Sequence, residues 1–314
     1  MSDLELITIG RVSVDLYPEQ SGVPLAKVRT FAKSLGGSPT NVAVAAARLG
    51  HRSAVITKVG DDGFGTYVRE ALAGFGVDTR FVGTDATLRT PVVFCELYPP
   101  DHFPLLFYRE PKAPDLNITR DELDLHAIAR VPILWTSGTA LSDQPSRTAT
   151  LAALEAARGR TIHDLDHRHH AWKDPSEARP AAMAALRHAR VAVGNLDEVE
   201  MATGSRDPDL AAQRLLEMGP ELAVVKQGPR GTLARSRTER VQVPAVEIEV
   251  VNGLGAGDAF GGALVHGLLL GWDLGRTLTF ANAAGAIVAS RLACADAMPV
   301  ADEVDVLLGR AARV

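Results

Sequence analysis

The stretch Asn252-Gly253-Leu254-Gly255-Ala256-Gly257-Asp258 sets three glycines and one carboxylate at the entry to an apolar segment. After it, Ala259, Phe260, Ala263, Leu264, Gly267, Leu268 and Leu269 recur at helical spacing. Before it, Val241, Val243, Val246, Ile248 and Val250 read as extended chain. A helix start offers N–H groups without intrahelical acceptors and the positive end of a dipole, both suited to an anion. Small residues let the backbone approach that anion closely. Asp258 in this place is either a helix cap or a general base, and the stretch alone does not choose.

Three further stretches carry candidate chemistry. Leu35-Gly36-Gly37-Ser38-Pro39-Thr40-Asn41 is also a turn before a helix. Gly36 and Gly37 would admit a ligand to the backbone, and Asn41 offers both a donor and an acceptor. The alternative is a plain entry turn capped by Ser38 or Thr40. Val225-Lys226-Gln227-Gly228-Pro229-Arg230-Gly231 reads as a strand end followed by glycines, where open α/β sheets bind ligands, or else as a β-turn between two strands. Asn195-Leu196-Asp197-Glu198 suits a hydrated Mg²⁺, or equally an N-cap with an acidic first turn. Residues 163–170 crowd four histidines together, but their spacing matches no usual zinc pattern. Arg168 within that run, and Arg109 in Phe107-Tyr108-Arg109, are each suited to clamping an anionic substrate or to a structural salt bridge.

The elements that must position these residues follow a β-α rhythm. Residues 4–10 and 53–59 read as strands, 40–49 and 64–75 as helices ended by Gly50 and Gly76. Strands at 132–136, 161–165, 191–193 and 222–226 alternate with helices at 145–158, 177–188 and 210–217. Residues 232–234 and 240–243 look antiparallel, and 258–270, 274–291 and 301–308 are helical. This favours an α/β fold with a parallel sheet. Residues 11–30, 90–98 and 105–109 break the rhythm and suggest a small separate sheet, a flap that closes over substrate.

Composition excludes several classes. With 314 residues, 46% hydrophobic and 23% charged, the chain is long enough for a large core. A net charge of −5 without a basic run gives no footprint for nucleic acid. Cys95 and Cys294 are the only cysteines, which excludes a disulfide framework and fits a cytoplasmic location. Met1-Ser2-Asp3-Leu4-Glu5 is acidic and leads into a strand, so no signal peptide is expected, and no apolar run suggests a membrane span. No G-x-x-x-x-G-K-[ST] occurs. Asp258 stands where a dinucleotide fingerprint wants its third glycine, which disfavours a nicotinamide enzyme.

Taken in order, Gly36-Gly37 with Asn41, Asn195 with Glu198, the turn from Lys226 to Gly231, and Gly255-Ala256-Gly257-Asp258 make a set. That set resembles the ribokinase-like carbohydrate kinases, the PfkB family, over nearly the whole chain. The resemblance implies a single domain, 1–314, of three α/β/α layers with a mostly parallel sheet. A small β-sheet lid would come from residues about 11–34 and 88–112. It implies ATP and Mg²⁺, and raises a monovalent cation such as K⁺. The amides of Gly255, Ala256 and Gly257 would form an anion hole and Asp258 would be the catalytic base. Lys226, Gly228, Gly231, Asn195 and Asn282 would lie along the nucleotide, and Glu198 would serve the metal. Asn282, inside an Ala-rich helix, reads equally as a packing residue.

Finer features are similar to one branch of that family, which phosphorylates a keto-deoxy sugar acid of inositol breakdown. They are the run from Gly10 to Pro18, Phe94-Cys95-Glu96-Leu97-Tyr98-Pro99-Pro100-Asp101, Phe107-Tyr108-Arg109 with Lys112-Ala113-Pro114-Asp115, and Asn252-Gly253 where the wider family has Asp-Thr. That branch implies transfer to the C6 hydroxyl. Asp15, Gly36, Gly37, Asn41 and Tyr108 would lie on the substrate, and Arg109 and Arg168 on its carboxylate or, for Arg168, on neighbouring phosphates. Kinases of 2-keto-3-deoxygluconate resemble the chain at the same arginines. A fructokinase-like enzyme and a non-catalytic sugar sensor on the same fold stay open. The expected partner is a small sugar acid. A homodimer through the flap would use Val92, Phe94, Leu105 and Phe107.

Overall fold

The first strand, β1 (Leu6–Ile9), is buried along its whole length, Thr8 included. The computed structural model describes residues 4–311, so Met1, Ser2 and Asp3 of the acidic start lie outside the described residues. The further strands are β2 (Ser13–Pro18), β3 (Phe31–Gly36), β4 (Ser53–Gly60), β5 (Val82–Asp85), β6 (Val92–Cys95), β7 (Leu105–Tyr108), β8 (Ile133–Ser137), β9 (Arg160–Asp164), β10 (Val191–Asn195), β11 (Leu222–Lys226), β12 (Thr232–Ser236) and β13 (Arg240–Val243). The helices are α1 (Ser38–Arg48), α2 (Gly63–Gly74), α3 (Leu125–Arg130), α4 (Ser146–Ala156), α5 (Ala178–Leu186), α6 (Leu196–Thr203), α7 (Pro208–Glu217), α8 (Ala256–Leu269), α9 (Leu274–Ala289) and α10 (Ala301–Ala311).

Nine strands form one sheet in the order β13-β12-β11-β10-β9-β8-β1-β4-β5. Neighbours from β11 through to β5 are parallel, and β12 runs antiparallel to both of its neighbours, β11 and β13. Alternate residues face opposite layers. Leu6, Trp135 and Val224 pack with Val42, Phe260 and Ala284 of α1, α8 and α9. Ile7 and Leu134 pack with Ala149 and Ala181 of α4 and α5, and Ala223 and Val225 with Val199 and Leu215 of α6 and α7. The result is the three-layer α/β/α arrangement expected.

The second sheet has the order β3-β2-β6-β7, from the irregular segments expected to leave the main sheet. Two boundaries differ from the sequence reading. β3 runs on to Gly36, so the first glycine pair ends a strand, and Gly36 sits opposite Ser13. The extended stretch expected through Val250 stops pairing at Val243. Pro244 follows and has no N–H to give a ladder. The sequence reading also missed β5 and α3, which are four and six residues long. Neither is long enough to show a period.

Candidate active site

The parallel strands bring their carboxyl ends to one edge. Asp164, Asn195 and Lys226 end β9, β10 and β11, with Val193 opposite Asp164 and Asn195 opposite Lys226. At the entry to α8, Gly255 is the N-cap in a left-handed conformation (φ +81°) and contributes no side-chain cap. A Cβ there would also lie 2.7 Å from Cys294 Sγ, so only glycine fits. Asp258 and Ala259 N–H both turn back to Gly255 O, at 3.1 and 2.9 Å. The amides of Gly255, Ala256 and Gly257 precede those bonds. Lys226 Nζ stands 3.4 Å from where a Cβ on Gly257 would be. The apolar loop start has its own support. Buried Asn252 donates to Leu292 O at 2.6 Å and accepts from Leu254 N–H at 3.0 Å, while Gly253 leaves room for the Phe103 ring.

Asp258 caps nothing. Its Oδ2 accepts from Asn41 Nδ2 at 2.8 Å. Burial raises its pKa above the ordinary carboxylate value, with the charge of Asp166 adding, against the hydrogen bonds of Asn41 and Ser38 and the charge of Arg11. Asn41 Oδ1 is buried with no partner, an acceptor left facing this site.

The glycine pair before α1 serves close approach. A Cβ on Gly36 would fall 2.1 Å from the Asp15 carboxylate, and one on Gly37 (φ +104°) 2.4 Å from Arg11 O. Neither Ser38 nor Thr40 caps α1, contrary to the plainer sequence reading, and Thr40 Oγ1 donates to Arg11 O at 3.0 Å. Asp15 is buried, accepts from Ser13 Oγ at 2.7 Å and Tyr17 OH at 3.3 Å, and is shifted up by burial.

On the other side of Asp258 lies a mixed charge cluster. Lys226 Nζ is 3.8 Å from Asp164 Oδ2. Burial works against the Lys226 ammonium, but Asp164, Glu198 and Asp258 outweigh it and hold it charged. Burial pushes Asp164 up to about 7 despite Lys226. Asn195 and Glu198 form a capping box at α6: Asn195 Oδ1 accepts from Glu198 N–H at 3.0 Å, and Glu198 Oε2 from Asn195 N–H at 2.7 Å. Burial raises Glu198 as well. Among the described residues no group of three His, Cys, Asp or Glu is placed to hold a metal. Gly228 and Gly231, both at positive φ, make the turn from β11 to β12. Asn282 accepts from Thr232 Oγ1 at 2.7 Å and donates to Pro244 O at 2.8 Å, which is the packing role.

A cleft of about 430 Å³ is lined by Leu105 and Phe107 of β7 and by Arg11, Arg109, Lys112, Arg168 and Lys173. Arg109 donates to Val12 O at 3.3 Å and pairs with buried Asp115. Arg168 Nε donates to Asp166 Oδ1 at 3.1 Å, and that carboxylate raises the arginine's pKa. Tyr108 does not join them. It is 61% exposed on the other face of β7, edge-on to Phe94, because neighbours along a strand point to opposite faces. The same pleat splits the four apolar residues expected to pair two copies. Val92 and Phe94 register with Tyr108 and Leu106 on the outer face, while Leu105 and Phe107 face the cleft. The histidine run also disperses. His163 is buried against Thr136 and lowered to about 4 by burial, and His170 stacks on Phe107.

Sequence reasoning quoted Arg11 and Asp115 only as parts of resembling runs, gave Cys294 no place at the site, and read Asp164 and Asp166 only within the histidine run. The alternation Asp164-Leu165-Asp166 past a strand end was the available signal for the two acids. Cys294, forty residues from the loop it packs against, gave none.

The pfkB family carbohydrate kinase model matches residues 3–301. Curated relatives named 5-dehydro-2-deoxygluconokinase include that of Geobacillus thermodenitrificans (strain NG80-2), 32% identical over 311 residues, covering 96% of this chain and 92% of the relative. That of Listeria innocua serovar 6a is 32% identical over 314 residues, covering 98% and 96%. Among solved structures, a putative ribokinase II from E. coli in complex with ATP and Mg²⁺ superposes with a TM-score of 0.90 at 25% identity, covering 98% of this chain and 99% of that one. A Vibrio cholerae fructokinase in its fructose-, ADP- and calcium-bound form gives 0.84 at 26%, covering 98% and 100%.

Proposed function

The chain belongs to the pfkB family of carbohydrate kinases, and we propose that it transfers a phosphoryl group from ATP to the C6 hydroxyl of 5-dehydro-2-deoxy-D-gluconate. The observation that carries the mechanism is Asp258, one turn into α8 beside the amides of Gly255, Ala256 and Gly257 and held by Asn41. The relatives' name carries the substrate.

The residues present fit a nucleotide's phosphates: first-turn amides without intrahelical acceptors, and Lys226 beside Gly257. They also fit a hydrated Mg²⁺, through the oxygen donors Glu198 and Asp164 near that lysine. When bound, Mg²⁺ supplies positive charge to the phosphate oxygens. A monovalent cation such as K⁺ is part of the same proposal and is read out by activity with and without K⁺.

The chain's own residues do the rest. Asn41 Oδ1, buried and unpartnered, is available to accept from a substrate hydroxyl, and Asp15 and the Gly36-Gly37 turn border the same space. Asp258 takes the C6 proton as that oxygen bonds to phosphorus and the bond to ADP breaks. The amides of Gly255, Ala256 and Gly257 donate to the oxygens of the phosphoryl group in flight. Gly228, Gly231 and Asn195 border the nucleotide side, with Asn282 holding that wall. Arg109 and Arg168 supply positive field to the cleft that takes the acid end. The small sheet acts as lid, and its outer face of Phe94, Leu106 and Tyr108 pairs two copies. Sedimentation of the protein and of Leu106→Asp reads out that pairing.

The test is a panel of 5-dehydro-2-deoxygluconate, 2-keto-3-deoxygluconate and fructose with ATP and Mg²⁺, followed by coupled ADP release. The highest kcat/KM is expected for the first. Preference for 2-keto-3-deoxygluconate would move the substrate within the sugar acids, and preference for fructose would remove the sugar-acid reading.

A further inference from the structure

The cleft lined by Leu105 and Phe107 holds five cationic side chains, and four of them are already engaged in hydrogen bonds. Arg109 is tied to Asp115 and Val12 O. Lys112 donates to Gln144 O, Lys173 to Asp143 and Arg168 to Asp166. Arg11 differs. Its nearest carboxylate oxygen, Asp166 Oδ2, is 3.9 Å from Nε, beyond hydrogen-bond reach, and Nε is buried with no partner. The side chain is only 13% exposed, yet it lines the cleft. A buried guanidinium N–H without a hydrogen bond is costly, and a structure that retains one has room for an acceptor.

The backbone of Arg11 is held as firmly as that of any site residue. Its carbonyl accepts from Thr40 Oγ1 and lies against Gly37, where only glycine leaves space. Its charge also reaches Asp258, favouring the ionised carboxylate. A sugar acid bound here would meet the unbonded Nε of Arg11 at its acid end and, at its hydroxyl end, the base whose ionised form Arg11 favours.

We infer that Arg11 is the specificity-determining residue that binds the substrate's carboxylate, with Arg109 and Arg168 held back by Asp115 and Asp166. This rests on the sugar-acid reading above. The experiment compares 5-dehydro-2-deoxygluconate with its C1 carboxamide, in the full-length wild type and in Arg11→Gln, Arg11→Lys and Arg109→Gln. The ratio of kcat/KM for acid over carboxamide is the readout, because loss of fold or a field effect on Asp258 lowers both substrates together.

In Arg11→Gln the ratio is expected to fall about 10- to 100-fold, mostly through KM for the acid, as the loss of a charge-assisted hydrogen bond predicts. Arg11→Lys keeps the charge without the fork and should fall less, about 3- to 10-fold. If Arg11→Gln does not fold, Arg11→Lys carries the test by the same ratio. An unchanged ratio in the Arg11 variants, or a larger fall in Arg109→Gln, overturns the assignment while leaving the sugar-acid reading standing. A wild type that turns over neither sugar acid overturns that reading, and this inference with it.

Discussion

Asn41 donates from Nδ2 to Oδ2 of Asp258 at 2.8 Å, joining the first turn of α1 to the first turn of α8 across 217 residues of chain. The bond engages Oδ2 of the carboxylate. It also offsets part of the burial that would otherwise keep Asp258 protonated.

Asp258→Asn keeps the shape and the hydrogen bond but removes the proton acceptor. Turnover in the coupled ADP assay should fall by roughly 10²- to 10⁴-fold, the usual weight of a general base. Nucleotide affinity by calorimetry should stay within a few-fold. Near-normal turnover would remove Asp258 from the role of base.

The pH profile follows from the direction of its shift. Asp258 must be ionised to work, and burial raises its pKa. The acid limb of kcat/KM should therefore lie above the ordinary carboxylate range of about 4. Asn41→Ala removes a contact that favours the ionised form, so the limb should move further toward neutral pH. A limb that stays in place, or moves down, contradicts this coupling.

Gly255→Ala meets two obstacles: a left-handed backbone and Cys294 Sγ at 2.7 Å. The backbone alone should cost about 1–2 kcal/mol of stability. Distortion of the amides should lower kcat by about 10²-fold. Adding Cys294→Ala removes Sγ but leaves the Cβ of residue 294 at 2.9 Å and the φ unchanged, so chemical denaturation should show partial recovery. Full recovery would mean that the backbone conformation carries no cost.

Far from the site, His51 Nε2 and His266 Nδ1 meet at 2.8 Å beneath Trp272 and Phe280. Burial and the neighbouring His51 lower His266 to about 4. The unfolded chain binds a proton near pH 6.5 that the folded chain refuses until about pH 4. Stability is whole above that window and falls as pH drops through it, by up to about 3 kcal/mol. Denaturation midpoints between pH 7 and 4 measure the loss. In His266→Phe the slope should flatten, and an unchanged slope would place the acid sensitivity elsewhere.

The alternation of strands and helices, the glycine turns and the order in which they come were legible in the chain itself. Local composition writes these features: helix period, strand alternation, and glycine wherever the backbone turns sharply or must admit a neighbour. The candidate base was legible too, because Asp258 follows its glycines directly. Whether Asp258 caps a helix or bonds elsewhere was not, since that depends on Asn41, which only the packing of α1 against α8 brings near. The two arginines read as anion clamps line one cleft, and Asp115 and Asp166 engage them there. Arg11 had no role assigned from sequence, and its Nε is left without a hydrogen bond. Tyr108 was one residue from the cleft in sequence and lies across the sheet from it in space. Residue types and their order determined the family and the kind of chemistry. Which cations are free, which carboxylates are desolvated and which face of a strand meets the cleft are sums over neighbours distant in the chain, and only the tertiary structure decides them.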